Sequence, residues 1–213
     1  RRAAAWLSAL SLCATAAACT GTNFRYVNHA VNKTDMYFKV PAGWHVLSQA
    51  DFIEENNPGL SRSQISQFEQ GSWIEAFDAG PHPSVKDLLN FNATYPFVVA
   101  IEHSLSPQAQ DSYSIANLRT EILPGDPLSG QASAGGPQYL NPTYSVLSEP
   151  GGFIGGQLKV DLVGQNGTYY TYEQKGLLNR STSQVFVIAA GCQAACFGRN
   201  QSLINAVMSS WNV

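Results

Sequence analysis

Four cysteines and four histidines are the side chains in this chain best suited to making or breaking bonds. Cys192 and Cys196 are separated by Gln193-Ala194-Ala195, one residue more than the Cys-x-x-Cys of dithiol redox centres. They also make half of a metal site, but no histidine or second cysteine pair lies near them in sequence. In an oxidising compartment the simplest outcome is that they pair with each other. That bond would close a loop of five residues, and by chain entropy it would contribute about 2 kcal/mol. His29, His45, His82 and His103 are scattered, without a second histidine at ligand spacing. Glu102 precedes His103, and adjacent residues on a strand point to opposite faces. Glu54 and Glu55 diverge by about 100° on a helix, so they read as a solvated face rather than an acid–base pair.

Other chemical signatures are missing. No Gly-x-Ser-x-Gly elbow occurs, and no Gly-x-x-x-x-Gly-Lys-Ser/Thr phosphate loop. Gly151-Gly152 and Gly155-Gly156 flank Phe153-Ile154, which predicts a bulged or sharply bent strand rather than a nucleotide loop. Tyr170 and Tyr172, beside Tyr169, share one strand face. They make a candidate aromatic patch for a partner or a glycan, set against the plainer reading of a covered core with hydroxyls at its rim. No catalytic residue, metal ligand or cofactor is assigned from the sequence, and the chain is read as non-enzymatic.

The cysteine ledger depends on compartment, and the N-terminus bears on that. Arg1-Arg2 precede an apolar, Ala-rich stretch containing Trp6, Leu7, Leu10 and Leu12, and Ala16-Ala17-Ala18 then precede Cys19. A charged start, an apolar run and small residues before a cut have the form of a signal peptide over residues 1–18. The stretch is short and weakly apolar for a spanning helix. Ala-Ala-Ala-Cys followed by Thr20-Gly21 resembles the bacterial lipobox, with Ala16 where that signal usually has a branched residue. The resemblance implies that the Cys19 thiol is acylated and anchors the protein to a membrane, with plain secretion as the alternative. Cys13 is discarded with the leader, so Cys192 and Cys196 are the cysteines left for the folded body.

Composition narrows the partners. Charged residues make up 13% of the chain, and removal of Arg1 and Arg2 takes the formal charge from −3 to −5. No Lys/Arg cluster follows residue 2. A mildly acidic body lacks the concentrated positive surface that nucleic-acid backbones require, so nucleic acid is excluded as a partner. Apolar residues at 44% suffice for the core of one domain. Asn32, Asn92, Asn166, Asn179 and Asn200 head Asn-x-Ser/Thr sequons, which matter only in a host that glycosylates.

Periodicity and turn chemistry then give the elements. A polar tether over 19–34 leads into a strand near Phe24 to Val27. Met36 to Val40 and Trp44 to Leu47 are extended, with Pro41-Ala42-Gly43 between them. Ser48 caps a helix through Glu54, and Ser61 to Gln70 is a second, weaker helix. Trp73 to Phe77 and Pro96 to Ser104 are strands, with a short turn capped by Ser84 between them. Ser106-Pro107 opens a helix that Ile115, Leu118 and Ile122 continue at helical spacing. Residues 124–142, rich in Gly, Pro and Ser, read as a long loop. Tyr144 to Leu147, Gln157 to Val163 and Thr168 to Leu178 are strands, the last two joined by an Asn166-Gly167 turn. Val185 to Ala190, apolar on both faces, is a central strand. Leu203, Ile204, Val207, Met208 and Trp211 line one side of a closing helix.

The run Phe38-Lys39-Val40-Pro41-Ala42-Gly43-Trp44 resembles the opening signature of the PsbP/Mog-type family, in the form used by actinobacterial lipoproteins of the LpqN-like group. Gly156 to Asp161, Tyr170 to Gln174, Val185 to Ala190, Cys192, Cys196-Phe197 and Ser210-Trp211 resemble its end. The resemblance covers residues 35–213. It implies an α+β fold, an α/β/α sandwich with a central antiparallel sheet and packed helices. It implies no shared catalytic centre. Three functions follow as expectations: a membrane-anchored domain binding an envelope protein or component, an envelope hydrolase or transferase, and a carrier of an apolar small molecule. An apolar cavity between sheet and helices would favour the third, and a cleft with convergent titratable groups the second.

Overall fold

The computed structural model describes residues 22–31, 34–129, 136–164 and 167–213. The signal peptide expected at 1–18, Cys19, Asn32 and Asn166 lie outside the described residues. Among the described residues, no helix is long and apolar enough to cross a membrane.

The chain opens with a hairpin of β1 (Phe24–Val31) and β2 (Thr34–Pro41), which forms its own two-stranded sheet. The hairpin straddles the boundary expected between 34 and 35. Seven further strands build the central sheet: β3 (His45–Leu47), β4 (Ser72–Asp78), β5 (Phe97–Ser104), β6 (Gln138–Glu149), β7 (Phe153–Val163), β8 (Tyr169–Leu178) and β9 (Gln184–Gln193). Their spatial order is β3-β4-β5-β9-β8-β7-β6, with every neighbouring pair antiparallel. The sheet is therefore two local meanders, β3 to β5 and β6 to β9, joined along one seam between β5 and β9. That seam pairs Phe97 with Gly191 through to Ser104 with Gln184. This is the α+β architecture with a central antiparallel sheet that the sequence implied.

Alternation along the strands sets what covers each face. On one side Phe77, Val98, Ala100, Phe186, Ile188 and Ala190 meet α5 (Ala194–Met208) and the underside of the hairpin. Helix α5 sends down Phe197, Ile204, Val207 and Met208, and the hairpin sends down Met36, Phe38 and Val40, the three fully buried. Burying a side chain such as Phe38 is worth about 2 kcal/mol. The hairpin is also tied to the chain's end, where Tyr37 and Asn212 exchange two backbone hydrogen bonds of 2.9 Å.

The other face carries Ala76, Val99, Leu158, Val160, Leu162, Tyr170, Tyr172 and Ala189, beneath Leu47, Phe52, Val85 and Leu88. Phe52 belongs to α1 (Gln49–Asn56), and Val85 and Leu88 to α3 (Val85–Leu89). Between them in sequence lies α2 (Arg62–Phe68). Caps explain the starts: Ser48 and Asp51 form a capping box on α1, and Ser84 accepts from Asp87 N on α3.

Three local expectations are corrected. The helix beginning at Ser106-Pro107 is α4 (Pro107–Ser112), and it stops there instead of running on through Ile122. Tyr113 turns extended, and Ser114 N donates to Asn117 Oδ1 at 2.8 Å. That side-chain bond starts a separate 3-10 turn, Asn117–Thr120, and replaces the helical pattern. The loop expected over 124–142 ends earlier than residue 142, because β6 begins at Gln138. The strand was hidden by Asn141-Pro142, where the register shifts and Asn141 takes φ 50°. Gly155 and Gly156 lie unbulged in β7, opposite Leu177 and Gly176 of β8. A Cβ on Gly155 would collide with the Gly176 carbonyl, and one on Gly156 with the Tyr144 ring. Close approach, rather than bending, requires these glycines.

Candidate functional site

Helices α1 and α3 do not close completely over the sheet. Between them lies a cleft of about 260 Å³ with Ile74, Phe97, Val99 and Tyr172 on its floor, and Phe52, Leu88 and Phe91 among its walls. The floor residues come from β4, β5 and β8, so the sheet's alternation is what places them on one surface. The lining is largely apolar, with Asn56, Glu121 and the Tyr172 hydroxyl as its polar groups. Apolar lining with a few placed polar groups is the usual make-up of a small-molecule site.

Glu121 is the one lining carboxylate among the described residues, and its partners are in place. Its Oε2 lies 2.9 Å from His103 Nε2, and its Oε1 accepts from the Tyr113 hydroxyl. Burial opposes the charge on Glu121, yet the hydrogen bonds from His103 and Tyr113 hold its carboxyl below the ordinary range. The bond to Glu121 raises His103, with burial working against it. Burial, then the bond to Glu121, pushes the Tyr113 phenol up. His103 and Glu121 therefore favour the ion pair, in which a protonated imidazole donates to the carboxylate. A protonated imidazole held in this way is a poor general base.

A second histidine–carboxylate pair lies on the opposite face of β5, beneath the hairpin. His29 Nε2 is 3.6 Å from Glu102 Oε2, and the His29 ring stacks on Trp73 at 4.4 Å. Glu102 is 3% exposed. Burial raises its carboxyl, and His29 offsets part of that rise. Glu102 and His103 do point to opposite faces, and each finds a partner far away in sequence. No serine, threonine or cysteine side chain is hydrogen-bonded to either imidazole among the described residues. His45 and His82 are exposed, in β3 and in the loop before α3. No group of three or more His, Cys, Asp or Glu is placed to hold a metal ion among the described residues. Glu54 and Glu55 are exposed on α1.

Tyr170 and Tyr172 do not form a surface patch. Both are 0% exposed, because β8 is an inner strand and this face of it is covered by α3 and the segment after it. Tyr170 packs edge-on against Phe91, and the Tyr172 hydroxyl donates to Gln174 Oε1 at 3.0 Å. Tyr169, which points the other way, is exposed. Cys192, the ninth residue of β9, is bonded to Cys196 in the first turn of α5, with Cα atoms 6.0 Å apart, the usual span of a disulfide. Of the sequons outside 32 and 166, Asn92 is exposed. The Asn179 carboxamide accepts from Ser183 N, and Asn200 Nδ2 donates to the Cys196 carbonyl.

Glu121 and Tyr113 had no signal in the sequence. They fall in a segment that reads as helix, and its real path is set by the Ser114–Asn117 bond.

Comparison with solved structures finds likenesses of low identity. The chain is similar to cyanobacterial PsbP of Synechocystis, at 13% identity and a TM-score of 0.46, over 88% of this chain and 92% of that one. It is similar to LpqN of Mycobacterium tuberculosis, a protein involved in cell envelope biogenesis, at 18% identity and 0.43, over 89% and 90%. It is similar to the Ran-binding protein Mog1p of Saccharomyces cerevisiae, at 10% identity and 0.41, over 91% and 96%. These are the PsbP and Mog folds that the sequence resembles. At such identities and scores the likeness assigns no role to any residue. No family model matches the chain, and no curated protein matches it in sequence.

Proposed function

We propose that this is an exported protein anchored to a membrane through Cys19, whose non-catalytic domain binds an apolar component of the cell envelope in the cleft between the sheet and helices α1 and α3. One observation carries the binding part. The cleft is apolar on floor and walls, and its one carboxylate among the described residues already has His103 and the Tyr113 phenol as partners. An apolar occupant therefore enters without leaving a buried charge unpaired, which is the term that otherwise opposes such binding. Its volume suits a short acyl segment or a small ring system rather than a folded partner. Export and anchoring rest on the Arg1 to Cys19 segment, and acylation of that cysteine is consistent with a bond between the two remaining cysteines.

Two measurements test the two parts. Metabolic labelling of cells with an alkynyl fatty acid should mark the intact protein and fail to mark Cys19→Ala; equal labelling of both removes the anchor. The apolar fluorophore N-phenyl-1-naphthylamine should bind the protein saturably. Ile122→Trp, which fills the cleft at a half-buried wall position, should weaken it at least tenfold. Unchanged affinity in that variant, or no binding to the wild type, removes the cleft.

A further inference from the structure

A second depression, polar where the first is apolar, lies at one end of the sheet. Its volume is about 550 Å³, and Trp44, Tyr95, Gln193, Arg199 and Asn200 are among its walls. A smaller one of about 190 Å³ shares Thr94 and Tyr95 with it and adds Asp78, His82 and Asp87. The Tyr95 ring thus borders both depressions.

That ring is 49% exposed and held in place. One side of it lies on Gly80, where an added Cβ would come within 3.2 Å of Tyr95 Cδ2 and 3.0 Å of Asp78 Oδ1. The backbone is pinned on both sides of Tyr95. Gln193 N donates to the Ala93 carbonyl at 3.1 Å, and Ala79 N to the Pro96 carbonyl at 3.0 Å. Beneath the cleft, the Cys192–Cys196 bond joins the end of β9 to α5. A half-exposed aromatic ring backed by a glycine and fixed by its neighbours is a preformed flat platform.

The polar groups around the ring decide what lies on it. On one side Arg199 offers donors and has no ion-pair partner among the described residues, while Gln193 and Asn200 bring amides. On the other side stand His82 and the carboxylate of Asp87, whose Oδ1 accepts from Asn92 Nδ2 at 3.4 Å and leaves Oδ2 to a ligand; Asp78 accepts from Gly80 N at 2.7 Å. A polyanion would meet Asp87 and Asp78 at one end, and a polycation would meet Arg199 at the other. Many hydroxyls, by contrast, both donate and accept, and the C–H face of a pyranose matches a flat ring. We propose that the Tyr95 cleft binds an uncharged saccharide, stacked on Tyr95 with its hydroxyls shared between Arg199, Asn200 and Gln193 on one side and Asp87 on the other. The site is separate from the apolar cleft and stands whether or not that cleft takes a ligand.

The test is a titration of the intact protein with maltohexaose, cellohexaose and mannohexaose, followed by amide NMR shifts. Oligogalacturonate and chitosan hexamer serve as the anionic and cationic comparisons. At least one neutral hexasaccharide should bind saturably and shift the amides of Tyr95 and Arg199. Tyr95→Ala should weaken it at least tenfold and Tyr95→Phe by less than threefold. N-phenyl-1-naphthylamine binding should stay unchanged in both. Arg199 is exposed and has no ion-pair partner among the described residues, so Arg199→Ala keeps the fold; it should weaken binding at least threefold and carries the test if Tyr95→Ala does not fold. The proposal is overturned if no neutral hexasaccharide binds, if a charged oligomer binds more tightly, or if binding is indifferent to Tyr95→Ala and Arg199→Ala.

Discussion

His103 and Glu121 meet at 2.9 Å beside the apolar cleft, joined from a strand and from the segment after a 3-10 turn. The pair makes stability depend on pH in a definite way. His103 is raised above its ordinary value of 6.5, so its contribution is whole below about pH 6.5 and fades as pH climbs through the raised value. Glu121 is lowered from 4.5, so its contribution is whole above about pH 4.5 and fades as pH falls through the lowered value. Near pH 5.5 wild type should exceed His103→Gln by about 1–2 kcal/mol. The gap should narrow toward pH 9 and toward pH 3. Urea melts across that range check this, and a constant gap contradicts the ion pair.

Glu102 should behave in the opposite sense to Glu121. Burial raises its carboxyl, so the folded state holds a proton that the unfolded chain gives up, and stability falls as pH rises through the raised value. Glu102→Gln removes the buried charge and keeps the shape. It should melt at the wild-type temperature or above at pH 8, by about 1 kcal/mol. A marked loss at pH 8 would show that the His29 contact outweighs the burial of the charge.

The glycines of β7 offer a sharper mutational test. Gly155→Ala drives a methyl into the Gly176 carbonyl of the neighbouring strand, which is backbone and cannot rotate away. Gly156→Ala meets the Tyr144 side chain, which is half-buried and can swing out. Overpacking of this kind costs about 1–3 kcal/mol, and Gly155→Ala should lose more than Gly156→Ala in thermal melts. Equal losses would mean that the strands can separate locally.

Replacing Cys192 and Cys196 together with Ala should lower stability by about 2 kcal/mol through chain entropy. The same change should weaken saccharide binding in the Tyr95 cleft, because the bond anchors the end of β9 beside it. Calorimetry and the NMR titration read the two effects separately.

Much of the fold was legible because its signals are local. Val185 to Ala190 is apolar on both faces, and a strand of that kind has to be central. Ser48, Ser84 and Ser106 cap real helices since capping needs only the next three residues. Where longer-range or competing forces act, the reading failed. Ile115, Leu118 and Ile122 keep helical spacing, yet the Asn117 side chain bonds to Ser114 N and breaks the helix. Gln138 to Pro142 looks like loop by composition, and pairing with β7 makes it strand. Tyr170 and Tyr172 share a face as expected, but alternation cannot say whether that face is covered. The same limit hid the candidate sites. His103 with Glu121, and Tyr95 beside Arg199, are neighbours only after the sheet has formed.

The seam between β5 and β9 has a bearing on how the molecule assembles. Each meander can zip up from contacts close along the chain, but the seam joins partners such as Val98 and Ala190. Loop-closure entropy makes such distant contacts late and slow. The transition state should therefore hold two half-formed strand arrays, with seam positions such as Val99 and Ala189 still loose. Severing the peptide between the arrays should yield two fragments that recover the native spectrum on mixing, at a rate set by their concentration.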